Sequence, residues 1–200
     1  MSLLQRSQYS RALIQGIFIC LLSFPLLSNA ASIDFEMLSD GDNVTSQYPG
    51  LTFSNATAHK SGISLNEFEF PPHSGVMVIS DNGGPLSISF SSRVSMVSGY
   101  FTYQKLLTMV GYDASNNAVA TSTSSFSNNT AMSGSLGSNP NELISIAFSG
   151  GISRLTITGD IGGASFALDD LSHKPVPIPA ALFLVAPCLP ALFFRRRRIA

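Results

Sequence analysis

Residues 86–91 read LSISFS, with Leu86, Ile88 and Phe90 alternating with Ser87 and Ser89. Successive side chains of an extended chain point to opposite faces. The stretch therefore puts three large apolar groups on one side and hydroxyls on the other, the pattern of a half-buried strand. Ile144, Ile146 and Phe148 repeat it in LISIAF (143–148). Further alternating runs are SIDFEM (32–37), GLTFSN (50–55), LNEFEF (65–70), VMVIS (76–80), VSMVSGYFTY (94–103), LTMVGYD (107–113), NAVATSTS (117–124), SRLTITG (153–159) and ASFALDDL (164–171). In LNEFEF, Phe68 and Phe70 are expected on the core side, with Glu67 and Glu69 facing water.

Turn residues separate these runs: DGDN (40–43), PPHSG (71–75), DNGGP (81–85), ASNN (114–117) and GDIGG (159–163). No helical period interrupts them between Ser32 and His173. Roughly ten short strands at such spacing predict an all-β domain, a two-layer antiparallel β-sandwich of jelly-roll-like form. Ser122 to Asn141 is almost entirely Ser, Thr, Asn and Gly and reads as a long exposed loop.

The charges are segregated. All twelve Asp and Glu lie between Asp34 and Asp170, alongside only five Lys and Arg, so this stretch carries a net charge of −7. Such a domain repels phosphate backbones, and nucleic acid is not an expected partner. Only 12% of the chain is charged, against about 25% in typical soluble domains, so Ser, Thr and Asn carry solubility. The two cysteines, Cys20 and Cys188, lie in the apolar ends. The middle segment has neither a disulfide nor a Cys metal site and must fold by core burial.

Both ends read as targeting segments. Arg6 and Arg11 precede an apolar run from Ala12 to Leu27, and Ser28-Asn29-Ala30 offers small residues at a cleavage site. This is the pattern of a secretory signal peptide over 1–30, cut between Ala30 and Ala31. At the other end, an apolar run over 178–194 is at the short limit for a transmembrane helix, and Pro187 and Pro190 weaken it. Arg195, Arg196, Arg197 and Arg198 follow as a stop-transfer signal, which keeps the C-terminus cytoplasmic and the middle domain outside.

Val176-Pro177-Ile178-Pro179, the apolar helix and the arginine cluster together resemble the C-terminal sorting signal of PEP-CTERM proteins, over 174–200. Ile178 stands where the family usually has Glu. The domain over 31–173 is also similar to the globular part of such proteins, at Leu86 to Val94, Tyr112 to Ala120 and Phe166 to His173. The resemblance implies a Gram-negative bacterium and an exosortase that processes the tail. It also implies an inner-membrane-anchored precursor, then a place at the cell surface or in an exopolysaccharide or biofilm matrix. The role expected is structural or adhesive, with a calcium-dependent carbohydrate-binding module as the alternative.

Within the domain, alternation from Phe166 and Leu168 places Asp170 on the core side, where a bare carboxylate is costly. With Asp34 and Glu36 from a neighbouring first strand, it is a candidate Ca²⁺ site, calcium being a hard ion that prefers oxygen. Asp40, Asp42 and Asn43 are alternative ligands. Tyr48, Tyr100, Tyr103 and Tyr112 are the candidate sugar platforms, although Trp, the strongest stacking residue, is absent. His59, His73 and His173 are scattered and no catalytic motif is present, so no enzyme is expected; a hydrolase with two carboxylates distant in sequence is the third alternative.

Overall fold

The structure is a computed structural model that describes residues 30–177. The expected leader, the apolar helix, the arginines and the motif residues Ile178 and Pro179 lie outside the described residues. Nine strands make up the fold: β1 (Ala31–Ile33), β2 (Leu51–Ser54), β3 (Ala56–Lys60), β4 (Met77–Asp81), β5 (Leu86–Tyr103), β6 (Thr108–Tyr112), β7 (Ala118–Thr123), β8 (Glu142–Thr158) and β9 (Phe166–Pro175). No helix occurs among the described residues. Every strand pairing is antiparallel, in the order β3-β4-β9-β5-β8-β6-β7, with β1 on β9 and β2 on β5.

The stretch LSISFS is the first part of β5 and behaves as its alternation predicts. Leu86 and Ile88 are fully buried and Phe90 nearly so. LSISFS and VSMVSGYFTY form one 18-residue strand, and LISIAF and SRLTITG form one 17-residue strand. Each changes partners along its length. Residues 87–90 of β5 pair with β2, and residues 94–103 pair with β9. Residues 142–147 of β8 pair with β5 alone, whereas 154–158 also pair with β6. Between these parts the β5–β8 register shifts twice, from Ser89 to Val94 and from Val94 to Met96. Such irregularities bend strands and increase twist.

One hydrophobic cluster takes side chains from both parts: Phe53, Leu155 and Ile157 from one, and Ala58, Ile79, Phe101 and Leu168 from the other. Gly111 on β6 shows how closely it packs. A Cβ there would lie 3.1 Å from Ile152 Cδ1 and 3.4 Å from Ile146 Cδ1. A side chain there would displace core atoms.

Three expectations are corrected. LNEFEF is a turn and not a strand: Phe68 is 71% exposed, while Glu67 and Glu69 reach for loop amides. The strand in SIDFEM stops at Ile33, because Phe35 has φ 62° and leaves the ladder to bury itself against Tyr48 and Phe53. Positive φ is costly for a bulky side chain, and full burial of the ring offsets it. The Ser122–Asn141 segment is not exposed throughout: Ser124, Asn129 and Thr130 within it are buried. The sheet also runs to Pro175, two residues past the expected domain end.

Candidate functional sites

β9 carries a bulge where the sequence places Asp169 and Asp170. Against β5, Ser98 pairs with Ser172 but Tyr100 pairs with Asp169, so β9 has one extra residue there. Asp170 takes it up with φ 45°. Gly99 lies on the facing strand, and a Cβ there would meet Leu168 Cδ1 at 2.5 Å. The extra residue reverses the side-chain parity. Asp169, and not Asp170, is the buried carboxylate, at 1% exposure.

The PPHSG loop caps this bulge. Asp169 Oδ2 accepts the backbone N–H groups of His73 and Ser74, both at 2.8 Å, and Oδ1 accepts that of Asp170 at 2.7 Å. Burial nevertheless outweighs these donors and pushes the Asp169 carboxyl up to about 6. Asp170 accepts from Ser74 Oγ at 3.0 Å, and its Oδ2 lies 2.6 Å from His73 Nδ1. The His73 ring stacks on Tyr100, with centroids 3.4 Å apart and planes 9° from parallel. Glu36 fastens the far side of the same loop, its Oε1 accepting the N–H groups of Val76 and Met77 at 2.8 Å each.

These bonds account for the expected calcium ligands. Asp34 caps the Glu36 amide, Glu36 holds the loop, and Asp170 holds His73 and Ser74. Among the described residues, no three His, Cys, Asp or Glu side chains are grouped to hold a metal. In DGDN, Asp40 accepts from Lys60 N and Ser64 Oγ, and Asp42 accepts from Ser39 N. The pattern is general. Every one of the twelve carboxylates accepts a hydrogen bond from another group of the domain, and all but Asp170 accept at least one backbone N–H. Among the described residues His73 Nδ1–Asp170 Oδ2 is the only contact within salt-bridge distance between a basic and an acidic side chain. The acidic groups tie down loops through backbone and hydroxyl donors, with no Lys or Arg within salt-bridge distance of them among the described residues.

The tyrosines are occupied as well. Tyr103 is fully buried, and its hydroxyl donates to Glu142. Tyr48 packs at right angles to Phe35. Tyr100 is covered by His73, and Tyr112 carries the Arg154 guanidinium 3.9 Å from its ring centroid. No two of them form an open sugar platform.

Two clefts remain. The larger, about 390 Å³, is lined by Ser46, Tyr48, Thr52, Ser89, Phe90 and Ser91, with Pro49, Gly50 and Leu51. The smaller, about 200 Å³, lies over β3, β4 and β9 and was not foreseen. There His59 Nδ1 lies 2.8 Å from Ser64 Oγ, and Nε2 lies 2.9 Å from Ser80 Oγ. Ser64 in turn donates to Asp40. Four residues from three segments meet here, and no short spacing in the sequence announces them.

No family model matches the chain, and no curated protein matches it. Among solved structures, it is similar to the K2 cleaved adhesin domain of Lys-gingipain, at 12% identity and a TM-score of 0.46, over 72% of this chain and 99% of that one. It is similar to the K1 cleaved adhesin domain of Lys-gingipain from Porphyromonas gingivalis, at 9% identity and a TM-score of 0.45, over 74% and 98%. It is also similar to the CBM22-1 xylan-binding domain from Paenibacillus barcinonensis, at 14% identity and a TM-score of 0.38, over 76% and 97%.

Proposed function

We propose that this chain is an exported surface or matrix protein whose domain is a two-layer β-sandwich of jelly-roll type, with a structural or adhesive role. Its leader is removed after Ala30, and an exosortase reads the tail from Val176 onward. The observation that supports this reading is that the described strands and the buried cluster lie between the two expected processing sites. The first strand starts at Ala31, the residue after the expected cut. The last strand ends at Pro175, one residue before the Val-Pro-x-Pro motif. Among the described residues the buried cluster runs from Phe35 to Leu171, between the two expected cuts. Mass spectrometry of the protein from its own cells tests this. A mature chain starting at Ala31 and lacking Arg195 to Arg198 is expected. An intact Met1, or a retained arginine cluster, would refute the corresponding cut.

Association with a neutral glycan such as exopolysaccharide is the second reading. The hydroxyl-lined cleft around Ser46, Thr52, Ser89 and Ser91 favours it, since no charged side chain lines that cleft. Hydroxyls beside an apolar floor suit sugar rings. Polysaccharide pull-down with the wild type and with Ser89→Arg, which fills the cleft, is the check. Equal retention of the two would remove this reading.

A further inference from the structure

The smaller cleft holds a chain of hydrogen bonds whose directions can be assigned. Register pairs Ser80 with Thr57 and Val78 with His59, so His59 and Ser80 are diagonal neighbours on one face of the sheet. The opposite face carries the fully buried Ala58 and Ile79. The 61–70 segment crosses over and brings in Ser64, Leu65, Asn66 and Phe70.

The assignment starts at Asp40. An ionised carboxylate only accepts. The Ser64 hydroxyl and the Lys60 amide hold the Asp40 carboxyl below its ordinary range, so it is ionised at neutral pH. The Ser64 proton therefore goes to Asp40. Ser64 Oγ then serves the imidazole as an acceptor, which places the ring proton on His59 Nδ1. Burial lowers the His59 pKa, against the smaller pull of Asp40, so the ring is neutral and Nε2 is bare. Ser80 Oγ, 2.9 Å away, must donate to it. A hydroxyl that donates to a bare imidazole nitrogen, with the far nitrogen fixed by a third group, is the arrangement of an activated nucleophile.

The geometry points to Ser80 as a nucleophile, with His59 as its general base and Ser64 and Asp40 as positioning residues, acting on a neutral ester of a short acyl group. The cleft sets the class. No Lys, Arg, Asp or Glu lines it, and Leu65, Phe70, Ala164, Phe166 and Ala167 make an apolar wall. At about 200 Å³ it is smaller than the ~300–1,000 Å³ of pockets for drug-sized ligands, so an acetyl-sized group fits and a long chain does not. Asn66 also lines the cleft, and an amide side chain is of the type that can donate to a carbonyl oxygen as it gains charge.

In the reaction, Ser80 Oγ bonds to the ester carbonyl carbon and its proton moves to His59 Nε2. The carbon–oxygen bond to the alcohol breaks, and the leaving oxygen takes that proton. Water then attacks the acyl group on Ser80, losing a proton to Nε2, and Ser80 Oγ recovers it. The products are an alcohol and a carboxylic acid.

The same bonds would also fasten the 61–70 loop to the sheet, and fastening alone leaves Ser80 no more reactive than any serine. Treating the folded wild-type protein with a small alkyl fluorophosphonate separates the two. One adduct per chain, located on Ser80 by peptide mass spectrometry, is expected. So is hydrolysis of p-nitrophenyl acetate that falls to background in Ser80→Ala, with the thermal midpoint kept. Asp40→Asn is expected to keep the adduct and move the acid limb of the pH–rate profile to lower pH, because the Asp40 charge supports protonation of His59. An unlabelled Ser80 in the folded wild type, or equal hydrolysis by Ser80→Ala, would overturn the proposal.

Discussion

The two ends of the sheet order are built differently. Toward β2 and β6, side chains alternate into the core, and Gly111 lets β6 settle against Ile152. Toward β3, β4 and β9, loops lie over the strands, held by carboxylates that accept amides from distant parts of the chain. The Asp169–His73 bond, for example, joins residues 96 apart. In the first region free energy comes from removing apolar surface from water. In the second, much of the requirement is that loop backbone N–H groups find acceptors, and such a bond costs more when broken than it contributes when made. Truncation should therefore act globally in the first region and locally in the second.

Leu155→Ala should have the largest effect. Leu155 is fully buried on β8, and losing its side chain there should cost about 3 kcal/mol. Urea unfolding should shift as one transition. A change confined to one loop would break the contrast.

Asn129→Ala tests the second mode and should cost about 2 kcal/mol. Asn129 is fully buried in the 124–141 loop. Its Oδ1 accepts the Tyr103 N–H at 2.6 Å, and its Nδ2 donates to Phe101 O and Asn139 O at 2.9 and 3.0 Å. It thus stands in for a strand along the edge of β5. The variant should be cut within 124–141 by protease well before the domain unfolds. Cleavage no faster than in the wild type would show that the loop does not depend on this side chain.

Glu36→Ala should cost less, about 1 kcal/mol, because the freed Val76 amide is exposed and water can replace the carboxylate. Faster amide exchange at Val76 and Met77, with β6 and β7 unchanged, is the expected readout. Uniformly faster exchange would mean that the loop and the sheet open together.

The same division decides what could be read in advance. The all-β class and the faces of LSISFS and GLTFSN follow from period-two alternation, which is a local property. β3 was missed because Ala56 and Ala58, though buried, carry too little apolar bulk to mark a face. LNEFEF alternates well, yet its glutamates bind amides at Gly62, Met132 and Ser133, partners that no periodicity reveals. The parity error at Asp170 arose from a single bulge residue. The pairing of Asp169 with Tyr100 exposes it only once the strands are laid side by side. In the structure the Asp169-Asp170 pair clamps the PPHSG loop. The His59 cleft joins positions 40, 59, 64 and 80 through the geometry of two strands and two loops, and scattered histidines gave no sign of it.

The smallest expected effect concerns the sign of a pH dependence. Burial raises the Asp169 carboxyl from an ordinary value near 3.8 to about 6, so the folded state binds this proton more tightly than the unfolded state. The ionised group thus works against folding above about pH 6. As pH falls through about 6 that opposition is relieved, and below about 4 both states are protonated and the contribution is level. Asp40, Glu69 and Asp113 behave in the opposite way. Hydrogen-bond donors hold each of them low, so the stability they provide is lost as pH falls through their folded values. Asp169→Asn separates the one group from the others, because the variant lacks only the Asp169 titration. The stability it loses relative to wild type should be larger at pH 5 than at pH 7, since the wild type alone is relieved by protonation there. Urea midpoints at the two values read this directly. A loss that shrinks at pH 5 would mean that the amides of His73, Ser74 and Asp170 outweigh burial, and that this clamp titrates like its exposed counterparts.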